Sequence, residues 1–295
     1  MTMTEKISSA DRNGGRTTTD NRRGDAGTFD KLYGGAVDSL LEIPIRSSFV
    51  ETTAGNPERP PVVVFQGGNI TTPVTLAWFQ ALADEYYLIA PDTPGQPGKS
   101  TSEEPARYSN WVREILDGLG IDRAAMIGSS HGAGILLETA TQIPERITKA
   151  ALVVPAGLNT TPSLDISQTL SPTFFYQMMP QRWLLRQALA PIFTEQPKNV
   201  DPIVIDTIGW VLRNQTLTTT FPGPTDLSEL SGFDAPTVVV AGEEDPFFPG
   251  NQVRRRATQA LPSLVDCLTL PDERHFLSPA GQIHTTQRIR KLFAN

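Results

Sequence analysis

From residue 61 onward the chain repeats one pattern. A short continuous apolar run is followed by a stretch whose apolar positions recur three and four residues apart. Pro61-Val62-Val63-Val64-Phe65 ends at Gly67-Gly68. A run of that length bounded by turn residues reads as a strand buried on both faces. The runs Tyr86 to Ala90, Ala124 to Ile127, Ala150 to Val154, Pro236 to Val240 and Cys267 to Leu270 repeat it. Thr75 to Ala83, Tyr108 to Leu119, Ala133 to Ala140, Arg254 to Leu261 and Gln282 to Phe293 carry helical spacing. Trp111, Ile115, Leu116 and Leu119, for example, share one face. Strands alternating with helices pair in parallel, with helices covering both faces. The expected class is therefore α/β, a mostly parallel, doubly wound sheet. Ile43 to Thr53 is expected to add earlier, antiparallel strands.

The rhythm stops between residues 158 and 233. That stretch holds Phe174, Phe175, Tyr176, Met178, Met179, Trp183, Phe193, Trp210 and Phe221, with no strand-helix alternation. It reads as a helical insertion. Its aromatic and methionine side chains are expected in a helical core of its own or against an apolar pocket. Residues 1–28 are rich in Thr, Asn, Asp, Arg and Gly and poor in large apolar residues, the composition of a disordered tail. The expected organisation is a tail over 1–28, a core over 29–157 and 234–295, and a helical cap over 158–233.

Composition narrows the chemistry. The chain has 295 residues and a formal net charge of −7, with no basic stripe, so nucleic acid is not the expected partner. Cys267 is the one cysteine, and with three histidines it makes no zinc-ligand spacing. Neither metal nor cofactor is expected. Arg22-Arg23 lacks the apolar segment of an export signal, and no apolar run reaches membrane-spanning length. A cytoplasmic location without membrane insertion is expected. Gly98-Lys99-Ser100 resembles the end of a phosphate-binding loop, but Thr93 stands where that motif needs glycine.

The candidate chemistry lies in Gly128-Ser129-Ser130-His131-Gly132, after one predicted strand and before a helix. G-x-S-x-G in that setting is a nucleophile elbow. The apex is Ser130, since Ser129 would need glycine at Ile127 and His131. A serine hydroxyl needs a base, and the base an orienting acid. His275 follows the last predicted strand through Pro271-Asp-Glu-Arg274, which brings it to the carboxyl edge of the sheet. His284 falls within a helix and reads as a surface residue. Asp245, in Gly242-Glu243-Glu244-Asp245-Pro246, follows the strand before. Glu243 and Glu244 are weaker candidates for the acid. Two backbone amides are needed for a developing oxyanion. His131 supplies one and Gly68, in Gln66-Gly67-Gly68-Asn69, the other.

On these motifs the chain resembles the α/β-hydrolase superfamily from about Ile43 to the C-terminus. The matching segments are Gln66-Gly67-Gly68, Asp92 to Ser100, the elbow at Ser130, and Asp245 with His275. Within it, Tyr108-Ser-Asn-Trp111, Met126 to Ser130 and Val200-Asp-Pro-Ile203 are similar to bacterial carboxylesterases with a helical cap. The resemblance implies hydrolysis of a small ester with an apolar group through an acyl-enzyme, with Ser130, His275 and Asp245 as triad. The same triad would serve perhydrolysis, acyl transfer or C–C bond hydrolysis, and a non-catalytic ligand-binding role is the remaining alternative. Two departures stand out. Gln66 replaces a common histidine, and His131 follows the nucleophile where small or apolar side chains are usual.

Overall fold

Alternate residues of the strand Pro61–Phe65 serve two different cores. Val63 and Phe65 pack with Trp111, Ile115 and Ala133, whereas Val62 and Val64 pack with Leu76, Phe79 and Ile289. That is the signature of a sheet covered on both faces. The computed structural model describes residues 40–43, 49–101, 103–162, 166–218 and 220–294. The tail expected over 1–28 lies outside the described residues.

Among the described residues, eight strands form one sheet: β1 (Leu40–Ile43), β2 (Phe49–Ala54), β3 (Pro61–Phe65), β4 (Tyr87–Pro91), β5 (Ala124–Ser129), β6 (Ile147–Val153), β7 (Thr237–Gly242) and β8 (Leu264–Leu270). Their spatial order is β1-β2-β4-β3-β5-β6-β7-β8. β1 with β2 and β2 with β4 are antiparallel, and every later pair is parallel. Helices α1 (Thr72–Ala77) and α8 (Pro279–Ala294) cover one face. Helices α2 (Tyr108–Gly118), α3 (His131–Gln142) and α7 (Gly250–Ala260) cover the other.

Helix α2 shows how the pattern becomes packing. Tyr108, Trp111, Val112, Ile115 and Leu116 are all buried, at the spacing of one helical face. Removing each such side chain from water contributes about 1.5–3 kcal/mol. The helix ends where Gly120 takes φ +67° and Ile121 N–H donates to Leu116 O at 2.8 Å. A residue with a Cβ would resist that left-handed turn.

Between β6 and β7 the chain inserts α4 (Ile166–Met178), α5 (Arg182–Leu189) and α6 (Pro202–Asn214). They share a small core that includes Tyr176, Leu184, Leu185 and Ile208. The insertion departs from its expected burial. Tyr176, Phe193 and Trp210 are buried and Phe221 packs edge-on to Phe248, but Phe174, Phe175, Met178, Met179 and Trp183 are exposed. A second difference is local. The segment expected as one helix over Thr75 to Ala83 divides into α1 and a short 3-10 turn at Gln80–Leu82. The division falls at Phe79, whose φ of −109° and ψ of 4° are not helical and whose ring is fully buried. No described helix is long and apolar enough to cross a membrane.

Candidate active site

The turn from β5 into α3 is built around a strained serine. Ser130 has φ 50° and ψ −114°, a region that non-glycine residues rarely occupy and surroundings must enforce. Its own N–H donates to Val153 O at 2.9 Å, tying the turn to β6. Strand and helix then pass too closely for side chains. A Cβ on Gly128 would lie 2.5 Å from Gly132 O, and one on Gly132 would fall on Phe65 O.

The structure brings Ser130, His275 and Asp245 together. His275 Nε2 lies 2.9 Å from Ser130 Oγ, and His275 Nδ1 lies 2.7 Å from Asp245 Oδ2. The other oxygen, Asp245 Oδ1, accepts the N–H groups of Phe247 at 2.8 Å and Phe248 at 3.0 Å. Asp245 is thus an acceptor on both oxygens, and Nδ1 carries the imidazole proton. Nε2 is left to accept from the serine hydroxyl. The Asp245 side chain is fully buried, and that of His275 retains 17% exposure. Glu243 and Glu244 are exposed, with Glu244 instead 3.6 Å from Arg274 Nε. His284 lies exposed on α8.

The loop after β3 lies against the elbow. A Cβ on Gly67 would sit 3.9 Å from Ser130 Cβ, and one on Gly68 would sit 3.1 Å from His131 Cβ. Gly67 N–H donates to Thr75 Oγ1 at 3.2 Å and Asn69 N–H to Gln96 Oε1 at 2.8 Å. Gly68 N–H, between them, has no acceptor among the described residues. His131 N–H opens α3, where a helix has no partner for its first amides. Gly68 N–H and His131 N–H are thus both without an acceptor among the described residues.

Three supporting residues were not singled out from the sequence for their roles. Fully buried Gln66 donates through Nε2 to Ile70 O at 2.6 Å and Pro97 O at 3.1 Å. Its Oε1 accepts from Thr93 N–H at 3.0 Å, so one amide ties together the loops after β3 and β4. Asn69, at φ 56°, donates to Thr218 O at 2.9 Å and accepts from Thr218 N–H at 2.8 Å. Asparagine tolerates that backbone better than most side chains, the one signal that marks it in sequence. Glu273 is buried and accepts from Thr194 Oγ1 and Ser278 N–H, each at 2.8 Å, which pins the loop carrying His275. The insertion joins the same loop. Thr194 N–H donates to Phe276 O at 3.0 Å, Phe276 N–H donates to Ile192 O at 2.9 Å, and the Phe193 and Phe276 rings stack at 4.1 Å.

Comparison with known proteins places this geometry. A family model for the alpha/beta hydrolase fold matches residues 60–190. The crystal structure of naproxen esterase from Bacillus subtilis superposes with a TM-score of 0.76 at 20% identity, covering 90% of this chain and 96% of that one. The chain has the α/β-hydrolase fold. A further structure of that fold, carboxylesterase CesB (YbfK) from Bacillus subtilis, gives 0.75 at 16% identity over 90% of this chain and 97% of its own. Among curated sequences, a Bacillus subtilis (strain 168) protein named as the uncharacterized carboxylesterase nap is 24% identical over 286 residues. That alignment covers 86% of this chain and 89% of the relative.

In this hydrolase fold, a cavity of about 330 Å³ opens onto Ser130 and His275. The sheet side contributes Gly68, Trp78, Val154 and Phe248, and the insertion contributes Leu189 and Ile208. No described Asp, Glu, Lys or Arg lines it. Among the described residues, no group of His, Cys, Asp and Glu is placed to hold a metal ion. Cys267 is partly buried, and burial raises its thiol above the ordinary value, away from reactive thiolate.

The second departure, His131, is 1% exposed and packs edge-on to Tyr108 at 5.7 Å. Its Nδ1 has no hydrogen-bond partner among the described residues. Burial lowers its pKa from 6.5 to about 4. Folding thus keeps this ring neutral in a range where the unfolded chain binds a proton. Its contribution to stability is complete above pH 6.5 and is lost as pH falls toward 4. The loss approaches about 3 kcal/mol. Urea denaturation at pH 7 and pH 4.5 should show this fall, and His131→Leu should reduce it. Equal falls in both proteins would assign the acid sensitivity to other groups.

Proposed function

We propose that the chain is a carboxylic-ester hydrolase working through an acyl-enzyme. The observation that carries this reading is the continuous hydrogen-bond path from Ser130 Oγ through His275 to Asp245, with contacts of 2.9 and 2.7 Å. Ser130 Oγ attacks the ester carbonyl while His275 Nε2 takes its proton. Asp245 holds the Nδ1 proton and balances the imidazolium. The amides of Gly68 and His131 receive the carbonyl oxygen as it becomes an anion. His275 then gives its proton to the departing alcohol. Water, deprotonated by the same nitrogen, attacks the acyl-enzyme and releases the carboxylic acid. Every step is a proton transfer or acyl transfer that these side chains and amides can perform without a cofactor. The names of the relatives, carboxylesterases among them, support the same reading.

The substrate follows from the cavity. Its apolar, uncharged lining favours a neutral ester with an apolar acyl or alcohol group and disfavours a charged one, which would lose its hydration without a partner. The insertion, supplying part of that lining, acts as a cap. Purified protein should label with a fluorophosphonate probe at Ser130 and turn over p-nitrophenyl butyrate faster than an ester bearing a free carboxylate. Absence of both labelling and turnover would end the hydrolase reading, and preference for the charged ester would end the substrate assignment.

A further inference from the structure

The exposed aromatic and methionine side chains of the insertion form a cluster. Phe174 (58% exposed), Phe175 (56%), Met178 (71%), Met179 (51%) and Trp183 (54%) fall within ten residues at the junction of α4 and α5. The Phe174 and Phe175 rings are in edge contact at 6.0 Å. These side chains lie outside the insertion's own core, which includes Tyr176 of α4, Leu184 and Leu185 of α5 and Ile208 of α6. Single exposed apolar residues are ordinary, but a cluster of this kind marks a contact surface.

The charge around the cluster has one dominant sign. From Ile166 to Thr194 the sequence has no Asp or Glu and two arginines, Arg182 and Arg186, both exposed. Arg213 of α6 is exposed and, like Arg182, close enough to act on Tyr176. The acid acting on Tyr176 is Asp206, paired with Arg182 at 2.5 Å. An acidic protein of net charge −7 thus carries an apolar face bordered by cations. The inner side of the same helices reaches the cavity, through Thr173 of α4 and Leu189 of α5.

We propose that this face docks the protein on an anionic lipid surface. Phe174, Phe175, Met178 and Trp183 enter the boundary between headgroups and acyl chains, and Arg186 and Arg213 meet lipid phosphates. Shape and charge both favour this occupant. The apolar side chains protrude, whereas a peptide helix requires a groove. A second copy related by two-fold symmetry would bring two net-positive faces together. A fluid, negatively charged interface accepts protruding apolar groups and arginines at once. The consequence for catalysis rests on the ester-hydrolase reading: apolar esters collect in lipid, next to the helices that line the cavity. The docking does not depend on it.

Co-sedimentation of the full chain with vesicles tests the docking directly. The protein should pellet with phosphatidylcholine–phosphatidylglycerol vesicles and stay in solution with phosphatidylcholine alone. The double variant Phe175→Ser/Met178→Ser should bind the mixed vesicles at least about tenfold more weakly. Arg186→Gln/Arg213→Gln should weaken binding and flatten its salt dependence. Both variants should keep wild-type turnover of a water-soluble ester. Failure of the wild type to pellet, or equal pelleting by Phe175→Ser/Met178→Ser, overturns the proposal. So does a dimer in gel filtration that this variant dissociates, with no vesicle binding, since the face then belongs to a second copy. A Ser130→Ala protein that pellets normally but still hydrolyses esters would instead refute the catalytic reading and leave the docking standing.

Discussion

Ser130→Ala is expected to lower kcat for p-nitrophenyl butyrate on the order of 10⁶-fold. Removing the hydroxyl removes the oxygen that lies 2.9 Å from His275 Nε2 and makes the first attack in the proposed mechanism. The amides of Gly68 and His131 would remain, so a small rate above that of water would persist. Stability gives the control. The substitution deletes one oxygen at a 7% exposed position and leaves the strained φ of 50° in place, so the urea midpoint should hold steady. A large activity loss with an unchanged midpoint assigns the effect to chemistry. Retained activity, at any stability, would mean that another group attacks the substrate.

Asp245→Asn is expected to lower kcat on the order of 10⁴-fold. The size follows from the two oxygens having different partners. Oδ1 accepts two backbone N–H groups, from Phe247 and Phe248, so an asparagine places its carbonyl oxygen there. Its NH₂ group then faces His275 Nδ1, where the carboxylate was 2.7 Å away. That donor forces the proton onto Nε2, and the ring can no longer accept from Ser130. The variant should recover activity as pH rises and hydroxide substitutes for the missing base. Glu243→Gln and Glu244→Gln should change kcat little, since both carboxylates are exposed. A strong effect from either of these, with a mild one from Asp245→Asn, would move the acid's role.

The comparison of expectation with structure follows the physics of each signal. Buried strands are legible because parallel strands covered on both faces must be apolar throughout, and β3, β5 and β7 lie where their Val and Ala runs stand. Ser130, His275 and Asp245 are legible because each follows a strand on one edge of the sheet, so chain order becomes spatial proximity. The supports of those residues are not. Gln66 reaches Pro97, 31 residues away, and Asn69 reaches Thr218, 149 residues away, through pairings that leave no local pattern. The insertion is the other gap. Without a clear period, its aromatic positions do not reveal which face turns inward, and Phe174, Phe175, Met178, Met179 and Trp183 are exposed.

The bridge between Ile192–Thr194 and Phe276 bears on how such proteins are engineered. A segment tethered at both ends looks like an interchangeable module, ready for exchange to alter selectivity. Here its middle is stitched by two backbone hydrogen bonds to the strip of chain that holds His275. A chimaera that swaps residues 158–233 wholesale would exchange part of the histidine's support along with the wall of the cavity. Transplants that keep Ile192, Phe193 and Thr194 from the host should therefore retain turnover, and those that replace them would confound selectivity with displacement of His275 from Ser130 and Asp245.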